Sequence, residues 1–222
     1  MDLFLASVPA ADERSLVEAA LPFATPAKRA RMERCRVAQQ RAGMALVEVL
    51  LAWALCEKRG VDLRAVDRFE DDNGKPFVRY VGGSVEFSVS HSGSYALVGI
   101  HDAPIGVDIQ QQRQADERLA RKVMDAASFE TWLGFSDGTT LFCDYWARME
   151  SELKWWGVGI AGLGRADLVL PEGVSSCAVD APAGYSASVC AALPKPAPLR
   201  ASPRTVQIEE LLAFAEREGL RS

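Results

Sequence analysis

The chain has 222 residues, 49% of them hydrophobic and 25% charged, with a net charge of −5 at pH 7. That is ample for one large domain or two small ones, and the acidic balance argues against a general nucleic-acid binder. Five cysteines without zinc-like spacing read as buried free thiols, and His91 and His101 alone exclude a histidine-rich metal centre.

Residues 1–11 hold a short apolar run beside Asp2 with no basic stretch before it, which reads as a first strand and not a secretion signal. No apolar run is long enough to span a membrane, so a cytoplasmic protein is expected. Thr25 and Pro26 form a helix start, Thr as N-cap and Pro at the first helical position. The helical pattern then runs to Arg59, basic early and apolar late, with Gly60 as its stop. Lys28, Arg29, Arg31, Arg34, Arg36 and Arg41 make this stretch a basic cluster. It is either a solvated helix face or a receiver for a small polyanion.

Asp72-Asn73-Gly74-Lys75-Pro76 predicts a hairpin turn. Strands are expected over 85–90, 96–100 and 105–109, broken by Ser92-Gly93 and by Asp102-Ala103-Pro104. Helices follow over 118–124, 128–133 and 139–156, the last ended by Gly157. Three further strands are expected over 166–170, 175–179 and 185–192. Pro194, Pro196 and Pro198 mark an extended linker, and 205–218 reads as a final amphipathic helix. Helix-then-strands occurs twice, so the expected class is α+β in two similar lobes, residues 1–110 and 111–222, the second carrying a C-terminal extension.

Three segments carry chemistry. In Gly106-Val107-Asp108-Ile109-Gln110 the strand alternation puts Asp108 and Gln110 on one face, where their oxygens suit a hard cation such as Mg²⁺. On the helix, Trp146, Glu150 and Lys154 fall on one stripe. That stripe is either a surface ion pair or, given Met149, Leu153, Trp155 and Trp156 around it, a covered and partnered one. Phe87-Ser88-Val89-Ser90-His91-Ser92-Gly93 is a strand running into a polar turn, with hydroxyls and an imidazole able to meet phosphate oxygens.

Taken in order and spacing, these three segments resemble the 4'-phosphopantetheinyl transferases of the surfactin-type class. The likeness extends to the turn at 74–76, the basic stretch 28–41 and the segment 184–191. It implies a pseudo-dimer of two α+β lobes with coenzyme A bound between them. It further implies Asp108, Gln110 and Glu150 as the magnesium site, completed by the pyrophosphate of coenzyme A. Lys154 and Asp108 with Glu150 are the implied catalytic groups, and Lys28, Arg31, Arg41, Lys75, Pro76, Ser90, His91 and Lys154 the implied coenzyme contacts.

Two positions depart from the family pattern. Gln110 stands where a glutamate is usual and Met149 where a lysine is usual, so the metal site has two carboxylates and leans on the bound pyrophosphate. The implied reaction moves phosphopantetheine from coenzyme A to a serine of an apo acyl or peptidyl carrier protein, releasing 3',5'-ADP. Carrier proteins are acidic around that serine, and Arg113, Arg118, Arg121 and Lys122 are candidate contacts, or else a solvated helix face. Other readings of the same residues are a non-catalytic coenzyme A-binding protein and a magnesium-dependent coenzyme A pyrophosphohydrolase. With both lobes in one chain, a monomer is expected, with neither nucleic acid nor membrane as partner.

Overall fold

A computed structural model of the chain describes residues 1–8, 13–63, 66–70, 76–80, 83–165, 167–194 and 200–219. Strand β1, Asp2–Ser7, buries four consecutive apolar residues and pairs antiparallel with β5, Tyr95–His101. Helices α1 (Glu13–Ala20), α2 (Pro26–Arg34) and α3 (Ala38–Arg59) follow. Strands β2 (Val66–Glu70), β3 (Pro76–Tyr80) and β4 (Gly83–Ser92) then form an antiparallel run ending on β5. The turn between β2 and β3, with Lys75, lies outside the described residues.

The second half opens with β6, Gly106–Gln111, followed by helices α4 (Glu117–Val123), α5 (Ala126–Leu133) and α6 (Thr139–Trp156). Strands β7 (Val174–Val179) and β8 (Tyr185–Ala192) complete a sheet with β6. The short strands β9 (Arg200–Ala201) and β10 (Arg204–Thr205) precede the last helix, α7 (Ile208–Gly219). Two sheets result, one of six strands in the order β10-β1-β5-β4-β3-β2 and one of four in the order β6-β8-β7-β9. Each has a long helix against it, α3 on β4 and β5 and α6 on β6 and β8, which is the expected α+β pair.

Helix α3 drives the first lobe. From Ala45 to Leu55 every residue is buried, because the helix is enclosed by the sheet on one side and by α1 and α7 on others. The sheets meet through a second apolar cluster, where Leu3, Leu5 and Leu97 face Ile105, Val107 and Ile109. Helix α6 lies almost on the backbone of β6. A Cβ at Gly106 would sit 1.9 Å from the Ser151 carbonyl oxygen, so only glycine permits this approach.

Several expectations are corrected. The helix expected from 25 to 59 is two helices, because Cys35 and Val37 are extended. Thr25 does cap the first, accepting from Lys28 N at 3.3 Å, and Gly60 ends the second in the left-handed region. Helix α1 was not anticipated. No strand forms over the described residues 167–170: Val169 is 74% exposed, and the sheet edge beside β7 is taken by β9. Thr205 belongs to β10, which pairs parallel with β1, so the final helix starts at Ile208 and packs on α1 and α3. Of the proline linker, 195–199 lie outside the described residues.

Candidate active site

Strands β4 and β6 run side by side where the lobes join, yet no backbone ladder links them. Serines spaced two apart on β4 do so instead. Ser88 Oγ accepts from Val107 N and Ser92 Oγ accepts from Gln111 N, both at 3.0 Å. Between them, Ser90 Oγ donates to Asp108 Oδ1 at 2.7 Å. Lys154 Nζ, reaching down from α6, donates to the same carboxylate oxygen at 2.7 Å and to the carbonyl oxygens of Val107 (3.1 Å) and Val89 (3.4 Å). One ammonium thus joins the helix to both strands.

Asp108 is 6% exposed and has Ser90 and Lys154 as partners. Glu150, one turn before Lys154, is 8% exposed, and its Oε1 is buried without a hydrogen-bond partner. Burial pushes the Glu150 carboxyl above its ordinary range, and the neighbouring Asp108 charge adds to this against the pull of Lys154. An orphaned carboxylate oxygen facing a second carboxylate fits a hard divalent cation. Among the described residues no three of His, Cys, Asp and Glu converge, consistent with an amide at Gln110 where a third carboxylate would stand. Gln110 follows Asp108 on the strand alternation, and its Nε2 donates to Gln111 O at 3.0 Å.

Beside this carboxylate pair open two adjoining cavities of about 340 and 580 Å³, which share Arg31, Met44 and His91. The smaller is lined also by Lys28, Glu48, Ser90 and Lys154, and the larger by Arg34, Gln110 and Arg113. Arg31, Arg34 and Arg113 line these cavities, with no carboxylate partner among the described residues. His91 is mostly buried, and burial with the charges of Lys154, Arg31 and Lys28 lowers its pKa to about 4. Its ring lies over Gly43, where a Cβ would come within 2.7 Å of Nδ1. It is thus neutral at physiological pH, with Lys154, Arg31 and Lys28 near it.

The fold therefore brings together Lys28, Arg31, Ser90, His91, Asp108, Glu150 and Lys154. It does not bring Arg41 to the cavities: that guanidinium pairs with Glu13 and donates to Cys35 O at 2.6 Å, tying off the break between α2 and α3. Lys75 lies outside the described residues, and Pro76 opens β3 with its side chain outside them. Of the candidate carrier contacts, Arg121 pairs with Glu117 and stacks on Phe129, whereas Arg113 lines the larger cavity. Sequence reasoning missed Glu48, Gly43 and the roles of Ser88 and Ser92. Glu48 had a signal, as the lone charge between residues 42 and 56 of an apolar helix.

The chain is similar to known proteins of one family. The 4'-phosphopantetheinyl transferase superfamily signature matches residues 104–191. The 4'-phosphopantetheinyl transferase psf-1 of Bacillus pumilus is 30% identical over 198 residues, 82% of this chain and 84% of that protein. The transferase Sfp of Bacillus subtilis (strain 168) is 23% identical over 190 residues, 78% of this chain and 84% of its own. A further 4'-phosphopantetheinyl transferase of Bacillus subtilis is 24% identical over 163 residues, covering 66% and 72%. The residues matched by the superfamily signature carry Asp108, Glu150 and Lys154 together.

Proposed function

This chain belongs to the 4'-phosphopantetheinyl transferase superfamily, and we propose that it moves the phosphopantetheine arm of coenzyme A onto a serine of an apo carrier protein. The observation that carries the site assignment is the unpartnered Glu150 Oε1 with the Asp108 charge near it, joined through Lys154 to a cavity lined by Lys28, Arg31 and His91. Lys154 thus links the carboxylates for a metal to the cations for phosphates.

Asp108 and Glu150 would hold Mg²⁺, with Gln110 able to offer a carbonyl oxygen. When bound, the ion neutralises charge on the pyrophosphate and acts as a Lewis acid. Lys28, Arg31 and His91 bind and orient the coenzyme's phosphates. The attacking group is the carrier serine hydroxyl. Its oxygen forms a bond to the β-phosphorus as the bond from that phosphorus to the bridging oxygen breaks, and 3',5'-ADP leaves. Glu150 would take the serine proton through the carboxylate oxygen that does not hold the ion. Lys154 faces the charge that develops on the leaving phosphate, and its existing bonds to Val107 O and Asp108 fix it before reaction.

Mass spectrometry of an apo carrier protein incubated with this chain, coenzyme A and Mg²⁺ tests the reading. The expected result is one phosphopantetheine on the carrier serine and an equal amount of 3',5'-ADP. Release of 3',5'-ADP without a carrier adduct would instead mark a pyrophosphohydrolase, and coenzyme binding with neither product a binding protein. Carrier identity belongs to surface features outside the cleft, and a single chain supplies both of the cleft's walls, as a monomer requires.

A further inference from the structure

Glu48, Asp108 and Glu150 are buried carboxylates of this region, and the metal reading accounts for two. The third, Glu48, is 3% exposed on α3 and lines the smaller cavity. A buried carboxylate beside a pocket for phosphates lowers the pocket's positive potential, so by charge alone it opposes the ligand. Its partner gives it a purpose. Lys28 Nζ lies 2.5 Å from Glu48 Oε1, and the lysine is 24% exposed toward the cavity.

Lys28 is consequently fixed at both ends. Its backbone N–H is tied to the Thr25 hydroxyl that caps α2, and its ammonium is tied to Glu48 twenty residues on in α3. A free lysine must lose several side-chain torsions when it grips a phosphate, whereas one already held does not. Arg31, one turn further along α2, has no such anchor among the described residues.

We infer that Glu48 is a positioning residue, which holds the Lys28 ammonium in place to receive a phosphate of the coenzyme. This rests on the functional reading above. The charge balance gives the test its sign. Glu48→Gln removes a negative charge from a polyanion pocket, which alone would tighten binding. Loss of positioning weakens it.

The experiment compares wild type, Glu48→Gln, Lys28→Ala and the double variant. Coenzyme A affinity is read by calorimetry with Mg²⁺, and KM and kcat with saturating apo carrier. Glu48→Gln is expected to weaken coenzyme affinity about fivefold, consistent with a lost charge-assisted contact, with the loss falling on KM more than on kcat. In the Lys28→Ala background the same change is expected to cost much less, since the residue's effect on the coenzyme runs through Lys28. Unchanged or tighter binding by Glu48→Gln, or an equal penalty with and without Lys28, would overturn the inference. Should Glu48→Gln not fold, Glu48→Asp, which withdraws the carboxylate by one methylene, must still weaken binding in a Lys28-dependent way. Wild type that binds no coenzyme A would instead overturn the functional reading, and calorimetry separates the two failures.

Discussion

Lys154 Nζ donates to Asp108 Oδ1 at 2.7 Å within the second lobe, at its junction with the first. The ammonium also binds carbonyl oxygens on β4 and β6, so its loss removes a charge and unpins a seam. Lys154→Met is therefore expected to lower kcat about 10²-fold, in line with removal of one preorganised charge-stabilising donor. Lys154→Arg, which keeps the charge but not the compact head, should recover only part of it. Steady-state kinetics at saturating coenzyme A and carrier checks both.

Glu150 pays for its place in the metal-free protein. Its folded pKa is raised above the ordinary 4.5 by burial and by Asp108. The native state thus binds the proton more tightly than the unfolded one, so stability is full below about pH 4.5 and falls as pH rises through the folded pKa. Glu150→Gln should raise the Tm at pH 7 without metal, and the gain should shrink toward pH 4. Thermal scans check this, and the same variant should lose transfer activity.

His91 runs the other way. Its folded pKa of about 4 lies below the ordinary 6.5, so the native state holds the proton more weakly. The neutral ring's contribution is complete above pH 6.5 and is lost as pH falls toward 4. Replacing His91 by Gln is expected to flatten the acid limb of the stability curve in that window. Coenzyme A, by neutralising Lys28, Arg31 and Lys154, should move the imidazole resonance titration upward in NMR.

Gln110 bears on the metal directly. Gln110→Glu would supply a third carboxylate beside Asp108 and Glu150 and should lower the Mg²⁺ concentration for half-maximal activity about tenfold, a modest fraction of a charged ligand's worth. An unchanged magnesium titration would count against Gln110 as a ligand.

Gly106→Ala tests the packing that carries the site. The added methyl meets the Ser151 carbonyl and the Trp155 N–H, both backbone, so neither can swing aside. A loss of about 3 kcal/mol is expected in urea unfolding, at the upper end for an overpacked position.

Much of this was legible in the chain, and for physical reasons. The stripe of Trp146, Glu150 and Lys154 follows from helical period, and Asp108 from strand alternation, because both depend on neighbours close in sequence. Helix α6 and strands β4 to β6 were accordingly expected within a few residues of their observed bounds. What period cannot supply is contact between distant segments. The pairing of Lys28 with Glu48, the diversion of Arg41 to Glu13, and the serine bonds from β4 to β6 all depend on how elements pack. The strand expected over 166–170 does not form over the described residues 167–170, and β9 pairs with the end of β7 instead.

Strands β9 and β10 are two residues each, separated by Ser202 and Pro203, and they belong to different sheets. Arg204 and Thr205 give β1 its outer neighbour, although the whole second sheet lies between them in the chain. During synthesis, then, the outer edge of β1 stays unpaired until residues 204 and 205 have been made, after every strand of the second sheet. The first sheet is closed by a segment that the second sheet precedes, so the two lobes are interleaved along the chain.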